Sequence, residues 1–196
     1  MLEFGTILLC YLIGSIPFSY LFTRIFRGVD IRTIGSGNVG ATNVLRSAGI
    51  AVAIPALAGD LCKGILGAWL GFVVGGPLIA VLCSGTTILG HCYPVFLNFR
   101  GGKGVATAAG IILFLVPDIL LILLIVFVIT VFISRYVSLG SIICAVLFPI
   151  LTISLQKPWP YIVLSFIMSA LVIFSHRMNI SRLRAGTEPK INQKAR

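Results

Sequence analysis

Residues 119–133 read ILLILLIVFVITVFI, and residues 111–116 just before them read IILFLV. Neither run carries a charged side chain, so both suit the interior of a lipid bilayer. The rest of the chain is similar, because 58% of its 196 residues are hydrophobic and 10% are charged, with a mean hydropathy of +1.10. Soluble domains carry about 25% charged residues. The composition predicts an integral membrane protein and excludes an ordinary soluble enzyme, a disordered tail and a nucleic-acid module.

Apolar segments recur along the chain, separated by turn signals such as Gly75-Gly76-Pro77 and Pro117-Asp118. A membrane-crossing helix needs about 20 residues, which leaves no room for a separate soluble domain. We therefore predict one all-α domain, residues 1–196, built as a bundle of seven transmembrane helices. The expected spans are residues 4–23, 55–75, 78–98, 104–116, 118–134, 138–156 and 160–175.

The stretch from Gly104 to Ser134 decides the number of spans. As one helix it would be about 46 Å long, which exceeds a hydrocarbon core of about 30 Å. With seven spans and the amino terminus outside, the inner loops and tail, Lys194 and Arg196 included, hold 13 basic residues against one outside; six spans give 7 against 7. The positive-inside rule favours seven spans and a cytoplasmic carboxy terminus. It also explains most of the net charge of +10, and an anionic substrate is the second explanation.

The first inner loop reads GSGNVGATN from Gly35 to Asn43, with Arg46 soon after. Its first six residues match the dinucleotide pattern GxGxxG, but that pattern follows a strand, and here a membrane span precedes it. Small residues let backbone amides approach an anion, and hydroxyl and guanidinium groups lie beside them, which favours an anion site over a flexible linker. The candidate ligands are Ser36, Gly37, Asn38, Thr42, Asn43 and Arg46.

The second inner loop follows His91 and ends in RGGKG at residues 100–104, immediately before a helix. Glycines and a lysine at a helix N-terminus offer backbone amides, the helix dipole and an ammonium group to a phosphate. A Walker A loop is excluded because the GxxxxGK[ST] pattern does not occur, and a basic turn that caps a span is the alternative. The candidates are Arg100, Gly101, Gly102, Lys103 and Gly104, with Arg135 and Ser138 from a later polar turn.

Asp60 and Lys63 lie one helical turn apart inside the second span, where an ion pair is expected and a floor beneath a polar site is the second interpretation. The two histidines, His91 and His176, end helices on the cytoplasmic side, where each serves as a cap or as a general base. No Asp or Glu lies near either histidine in the sequence, so no dyad is expected. Five scattered acidic residues predict no metal site, and no cofactor is expected.

These blocks together resemble the PlsY family, bacterial membrane glycerol-3-phosphate acyltransferases that use acyl phosphate. The matching stretches are GSGNVGATNVLR at 35–46, GDLCKG at 59–64, GHCYP at 90–94, RGGKGVAT at 100–107, RYVSL at 135–139, and HRMNI, RL and GTE within 176–188. The resemblance implies acyl transfer to the 1-hydroxyl of glycerol 3-phosphate, giving lysophosphatidic acid and orthophosphate for phospholipid synthesis. It also implies a bacterial inner-membrane enzyme whose partners are glycerol 3-phosphate, long-chain acyl phosphate and membrane lipids.

The resemblance also implies roles for individual residues. Ser36 and Arg46 match essential residues of the family, and the glycines of the second loop match its glycerol-phosphate-binding loop. His176, Asn179 and Glu188 match its third motif. We expect catalytic roles for Ser36, Arg46, Lys103 and His176, substrate binding by Asn179, and structural support from Asp60, Lys63, His91 and Glu188.

The residues favour direct transfer over an acyl-enzyme. Acyl phosphate has a good leaving group, and no Ser-His-Asp, Cys-His or paired-carboxylate pattern is visible in the sequence. We expect the substrate's own phosphate to accept the hydroxyl proton, with His176 orienting glycerol 3-phosphate and Ser36 donating a hydrogen bond. A transporter for a phosphate-bearing organic anion is the alternative, although transporters need polar groups near the bilayer midplane, where only Asp60 and Lys63 qualify.

Overall fold

Helices dominate the chain because a long apolar segment in lipid satisfies its backbone hydrogen bonds internally only as a helix. In the computed structural model, which describes residues 1–191 and 193, the helices are α1 (Leu2–Ser15), α2 (Phe18–Arg27), α3 (Ala41–Ala48), α4 (Ile50–Cys92), α5 (Val105–Leu115), α6 (Pro117–Ser134), α7 (Val137–Ser154), α8 (Trp159–Ser175) and α9 (Arg177–Arg184). Short 3-10 turns lie at Ile31–Thr33 and Val95–Leu97. Lys194 and Arg196, which enter the positive-inside count, lie outside the described residues.

The long helix α4 consists of two helices joined at a sharp break. The backbone leaves the helical region at Gly75 and Gly76, and the φ of +65° at Gly76 suits a residue without a Cβ. The two halves run antiparallel, so that Gly67 contacts the Thr87 side chain. The first half begins at Ile50 rather than near Pro55, and the second ends at Cys92 rather than at residue 98.

The stretch 104–134 forms two helices, as the charge count predicts. α5 ends at Leu115, and Pro117 occupies the first turn of α6, where its missing N–H costs no hydrogen bond. By length and hydropathy, four helical segments of the described chain are able to cross a membrane, or five if α8 and α9, which meet at 57°, count as one. α5 is a shorter apolar helix.

Glycines bring the helices of the bundle into close contact. Gly14 of α1 faces the backbone of Thr87, and Gly64 of α4 faces the backbone of Thr107. Gly110 of α5 likewise packs on the backbone of Leu61, so a Cβ at any of these glycines would overlap the neighbouring helix. Small residues at such positions are the usual means of helix association in membranes. This packing holds α1, α4 and α5 together beside the remaining helices.

The polar loops meet at one end of the bundle. Lys103 contacts Asn179, Arg46 contacts the carbonyl of Pro189, and Ser138 contacts Glu188, so four segments distant in sequence converge. The other end carries the partly exposed ion pair between Lys157 and Asp118, at 2.7 Å. The polar groups are therefore concentrated at one end, as the sequence predicts.

Candidate active site

A cavity of about 400 Å³ lies at the polar end and continues between the helices. Its apolar part is lined by α4 to α8, including Leu61, Ile112, Leu120, Leu123, Leu124, Phe127, Phe148, Met168 and Val172. Its polar part comprises Ser36, Asn38, Thr42, Asn43, Arg46, His91, Lys103, Ser138, Ser141, Ser169, His176, Asn179, Arg182 and Glu188. The cavity is thus polar and cationic at one end and hydrocarbon-like at the other.

The first loop presents the N-terminus of α3 to the cavity. Gly40, Ala41 and Thr42 line the wall there, and α3 begins at Ala41. The first-turn amides and the positive end of the helix dipole favour an anion at this position. Ser36 and Asn38 line the same wall from the loop itself.

Asn43 holds the first loop in shape. Its side-chain Nδ2 donates to the carbonyl oxygens of Ile31, Ile34 and Asn38 at 3.1–3.2 Å, and its Oδ1 accepts from the Ser36 amide at 3.1 Å. An amide committed to these four backbone partners has no hydrogen left for a phosphate. The residue therefore builds the loop, although it was predicted as a substrate ligand.

Arg46 projects from α3 into the cavity. Its Nη2 donates to the carbonyl oxygen of Pro189 at 2.9 Å. Its Nε is buried and has no hydrogen-bond partner among the described residues. Burial lowers the pKa of Arg46 and outweighs the opposite effect of Glu188. A guanidinium nevertheless stays charged at any physiological pH. A buried, charged donor without a partner is suited to an anionic ligand.

Lys103 is the cation of the second inner loop, whose residues 100–104 form the glycine loop. Its Nζ donates to Asn179 Oδ1 at 2.6 Å, and Gly104 after it adopts a φ of +81° as α5 begins. Burial lowers the pKa of Lys103 to about 8, although Glu188 acts in the opposite direction. The ammonium group therefore loses its proton more readily than that of an exposed lysine.

Glu188 ties the C-terminal segment to the site. Its Oε1 accepts from Ser138 Oγ and from Asn179 Nδ2, both at 2.6 Å, and its Oε2 accepts from Arg182 Nε at 2.8 Å. Burial raises the pKa of Glu188, but these hydrogen bonds outweigh it and the pKa is lowered. The carboxylate is therefore ionised and fixes the Asn179 amide, whose other end accepts from Lys103.

His176 lies at the junction of α8 and α9. Its Nδ1 is 2.8 Å from the carbonyl oxygen of Val172. A carbonyl only accepts hydrogen bonds, so Nδ1 carries the hydrogen and Nε2 of the neutral ring is an acceptor. The sequence suggested no orienting partner for this histidine, because a backbone carbonyl leaves no trace in a motif.

His91 does pair with an acidic residue, contrary to the expectation from sequence. Its Nδ1 lies 3.4 Å from Asp60 Oδ1, and the same oxygen is 2.8 Å from Lys63 Nζ, which is the expected ion pair. Asp60 and Lys63 do not line the cavity, whereas His91 does. Asp60 and His91 are far apart in the sequence, so no local pattern predicts their contact.

Several predicted ligands lie elsewhere. Arg100 and Arg135 do not line the cavity, and the Arg135 guanidinium lies over the Phe132 ring at 5.3 Å. Gly37, Gly101 and Gly102 are also outside the lining.

Arg182 is the principal residue that the sequence prediction missed. It follows His176 and Asn179 at intervals of three along one helix face, a spacing that offers the signal for finding it. Ser141 and Ser169 also line the cavity, but isolated serines in apolar helices carry no such signal.

The sequence model of the family described as glycerol-3-phosphate acyltransferase matches residues 4–186. The chain belongs to this glycerol-3-phosphate acyltransferase family. It is 55% identical to the glycerol-3-phosphate acyltransferase of Syntrophomonas wolfei, with both chains covered completely. It is 46% identical to glycerol-3-phosphate acyltransferase 2 of Moorella thermoacetica, with 96% of this chain and 97% of that one covered.

Two crystal structures of PlsY, an integral membrane glycerol 3-phosphate acyltransferase, share the fold of this acyltransferase. The glycerol 3-phosphate form superposes with a TM-score of 0.92 at 35% identity, and the lysophosphatidic acid form with 0.88 at 32% identity. Each comparison covers 96% of this chain and 94% of the other. The likeness confirms an all-helical integral membrane fold.

Proposed function

We propose that this acyltransferase binds acyl phosphate and glycerol 3-phosphate together in the amphipathic cavity and transfers the acyl group directly between them. The products are lysophosphatidic acid and orthophosphate. The observation that carries the proposal is one cavity with cations at one end and hydrocarbon side chains at the other. Both substrates bear a phosphate and the donor bears an acyl tail, so their shared chemistry matches this division.

At the polar end, Arg46 and Lys103 neutralise phosphate oxygens. The unpartnered Nε of Arg46 gains a phosphate acceptor, and Lys103 is held in reach by Asn179. The first-turn amides of α3 add neutral donors, and the Ser36 hydroxyl donates from the loop above them. Preorganised donors of this kind stabilise charge that develops on the transferring group.

At the apolar end, the acyl tail lies among the side chains of α5 to α8. Leu123, Phe148 and Met168 are buried there and line the cavity. Each methylene group transferred from water to such surroundings contributes about 0.8 kcal/mol. This binding fixes the carbonyl carbon of the donor near the polar end, where the acceptor hydroxyl is bound.

The transfer breaks one bond and forms another. The 1-hydroxyl oxygen attacks the acyl carbonyl carbon, its proton passes to a phosphate oxygen, and the bond from the carbonyl carbon to the bridging phosphate oxygen breaks. A phosphate monoester with a second pKa of about 6 is ionised enough to accept that proton. His176, whose Nε2 is an acceptor in the neutral ring, accepts a hydrogen bond from the glycerol moiety and orients it.

We further propose seven membrane crossings, with the amino terminus outside, the carboxy terminus in the cytoplasm and the active site on the cytoplasmic side of a bacterial inner membrane. The clustering of cationic loops at one end of the bundle supports this orientation. Reporter fusions after residues 27, 135 and 191 report cytoplasmic locations in this arrangement. A periplasmic signal from the fusion at 135 would contradict it.

The test of the reaction uses purified protein in lipid vesicles. With palmitoyl phosphate and labelled glycerol 3-phosphate, we expect labelled lysophosphatidic acid and orthophosphate in equal amounts, and a linear onset without an acyl-enzyme burst. Uptake of label into the vesicle lumen without product would instead support the transporter alternative. Burial and the nearby Lys103 lower the pKa of His176 to about 4, so His176→Gln measured against pH separates the proton acceptors. Loss of a limb near pH 4, with a rate decrease of roughly 10²–10⁴-fold, assigns the base to His176.

A further inference from the structure

A charged cluster lies beneath the glycine loop, and of its three residues only His91 lines the cavity that holds the proposed reaction. Asp60, Lys63 and His91 are 2%, 3% and 7% exposed. Lys63 Nζ is 2.8 Å and His91 Nδ1 3.4 Å from Asp60 Oδ1, and His91 Nδ1 is also 3.2 Å from Thr107 Oγ1. Charges in such surroundings are costly and are retained in proteins mostly where they serve a function.

The cluster joins segments that are otherwise separate. Lys63 Nζ donates to the carbonyl oxygen of Ile16 at the end of α1, and the Ser19 hydroxyl of α2 donates to Asp60 Oδ2 at 3.4 Å. Thr107 belongs to α5. Well-packed apolar residues would join these helices with equal or greater stability, since a buried ion pair gains little after desolvation. The charged groups instead define the positions of these helices relative to one another.

That geometry is transmitted to the glycine loop. The amides of Gly101 and Gly102 donate to the carbonyl oxygens of Cys92 and His91 at 3.2 and 3.1 Å. A Cβ on Gly102 would collide with both the His91 imidazole and the Val39 carbonyl oxygen. His91 therefore lies directly against the loop at Gly102, and Val39 of the first loop packs at the same residue.

We propose that Asp60, Lys63 and His91 are positioning residues that set the place of Gly102, and through it of Lys103, at the phosphate end of the cavity. The inference rests on the proposed function, because it assigns the cluster to the same phosphate site. Asp60 and Lys63 act through His91, and none of the three is required to touch a substrate.

The main test replaces both charges at once, with Asp60→Asn/Lys63→Met, which preserves volume and leaves no single charge buried. We expect KM for one phosphate-bearing substrate to rise roughly tenfold or more, the loss of about one charge-assisted hydrogen bond, with kcat changed less. Burial lowers the pKa of Lys103 to about 8, so we expect Lys103 to set an alkaline limb of kcat/KM and that limb to move to higher pH in this variant, as the loop shifts toward water. Wild-type KM and an unmoved limb in the folded variant would overturn the proposal.

The matched control is Thr152→Val, which removes a buried hydroxyl 3.0 Å from Ser165 Oγ, outside the cavity lining. We expect a lower melting temperature for it, with KM and the alkaline limb unchanged. If the double variant does not fold, Thr107→Val removes only the hydroxyl beside His91 and takes its place. Unchanged KM and pH profile in that variant would equally overturn the proposal.

Binding measurements separate this inference from the proposed reaction. Calorimetric titration of glycerol 3-phosphate into the wild type, Asp60→Asn/Lys63→Met and Thr152→Val requires no acyl transfer. Weaker binding in the double variant alone, or a raised KM for acyl phosphate alone, supports the positioning role. Absence of transfer by a wild type that binds glycerol 3-phosphate would refute the reaction while leaving the positioning role to be judged from the titrations.

Discussion

The two phosphate-binding loops are held in place by different means. The first loop is shaped from within, because one side chain, Asn43, makes four hydrogen bonds to backbone atoms five to twelve residues earlier in the chain. The glycine loop is shaped from beneath, by the end of α4 and by His91, which contacts Asp60 across 31 positions of sequence. The conformation of the first loop is determined by nearby residues and can be predicted from the sequence. The conformation of the glycine loop depends on the assembled helix bundle.

The largest loss of activity is expected when the cation of either loop is removed. Arg46→Ala and Lys103→Ala should each lose on the order of 2–4 kcal/mol of transition-state stabilisation, because each removes a preorganised charge from the phosphate site. Steady-state kinetics of the folded variants measure the loss as the change in kcat/KM. Near-normal kinetics in either one would remove that residue from the site.

Asn43→Ala should disrupt the first loop as a unit. It leaves three carbonyl oxygens and one amide without their partner, and each buried polar group that stays unsatisfied costs about 1–3 kcal/mol. We expect reduced thermal stability together with a large decrease in activity. Ser47→Ala is the matched control, since its hydroxyl only donates to Asn43 at 3.4 Å. Equal melting temperatures for the two variants would contradict the role of Asn43.

Gly102→Ala should affect binding more than the chemical step. The added Cβ pushes the loop away from His91 and Val39, so KM for one phosphate substrate rises, by roughly tenfold, while kcat falls less. Gly5→Ala, where a Cβ meets open space, is the control. Lost expression with an unchanged KM would show that the loop is a structural turn only.

The pH dependence of kcat/KM should reflect the titration of Lys103. Its pKa is lowered to about 8, so the charged form that binds phosphate is present below that pH and is lost as the pH rises through it. We expect a falling limb near pH 8 in the free enzyme. Lys103→Arg, with a guanidinium that stays protonated, should move that limb upward beyond pH 10. A limb that stays in place would assign it to another group.

The smallest effects are expected for the predicted ligands that lie outside the cavity. Arg100→Ala and Arg135→Ala remove exposed cations that do not line the cavity, and screened surface charges contribute about 0–1 kcal/mol. We expect kcat/KM within about fivefold of wild type for both. A loss comparable to that of Arg46→Ala would place these residues at the site during turnover.

Much of this organisation follows from sequence alone, and the exceptions share a physical cause. Hydropathy and charge asymmetry indicate the membrane fold, and glycines with adjacent cations indicate both loops, because these signals are local. Whether Arg135 faces the cavity depends on its left-handed backbone, at φ +64°, which no neighbouring residue specifies. The Asp60–His91 contact and the Glu188 network arise from helix packing, so only the assembled structure reveals them.

The net charge of the cavity lining determines how strongly two bound ligands affect each other's binding. Among the described lining residues, Arg46, Lys103 and Arg182 are cationic and Glu188 is anionic, a balance suited to about one phosphate dianion. A second phosphate then enters a site already neutralised, so the two ligands antagonise each other through a coupling free energy that is reciprocal. We expect orthophosphate, the reaction's own product, to weaken glycerol 3-phosphate binding, and Glu188, which limits the positive charge, to favour release of the products after transfer.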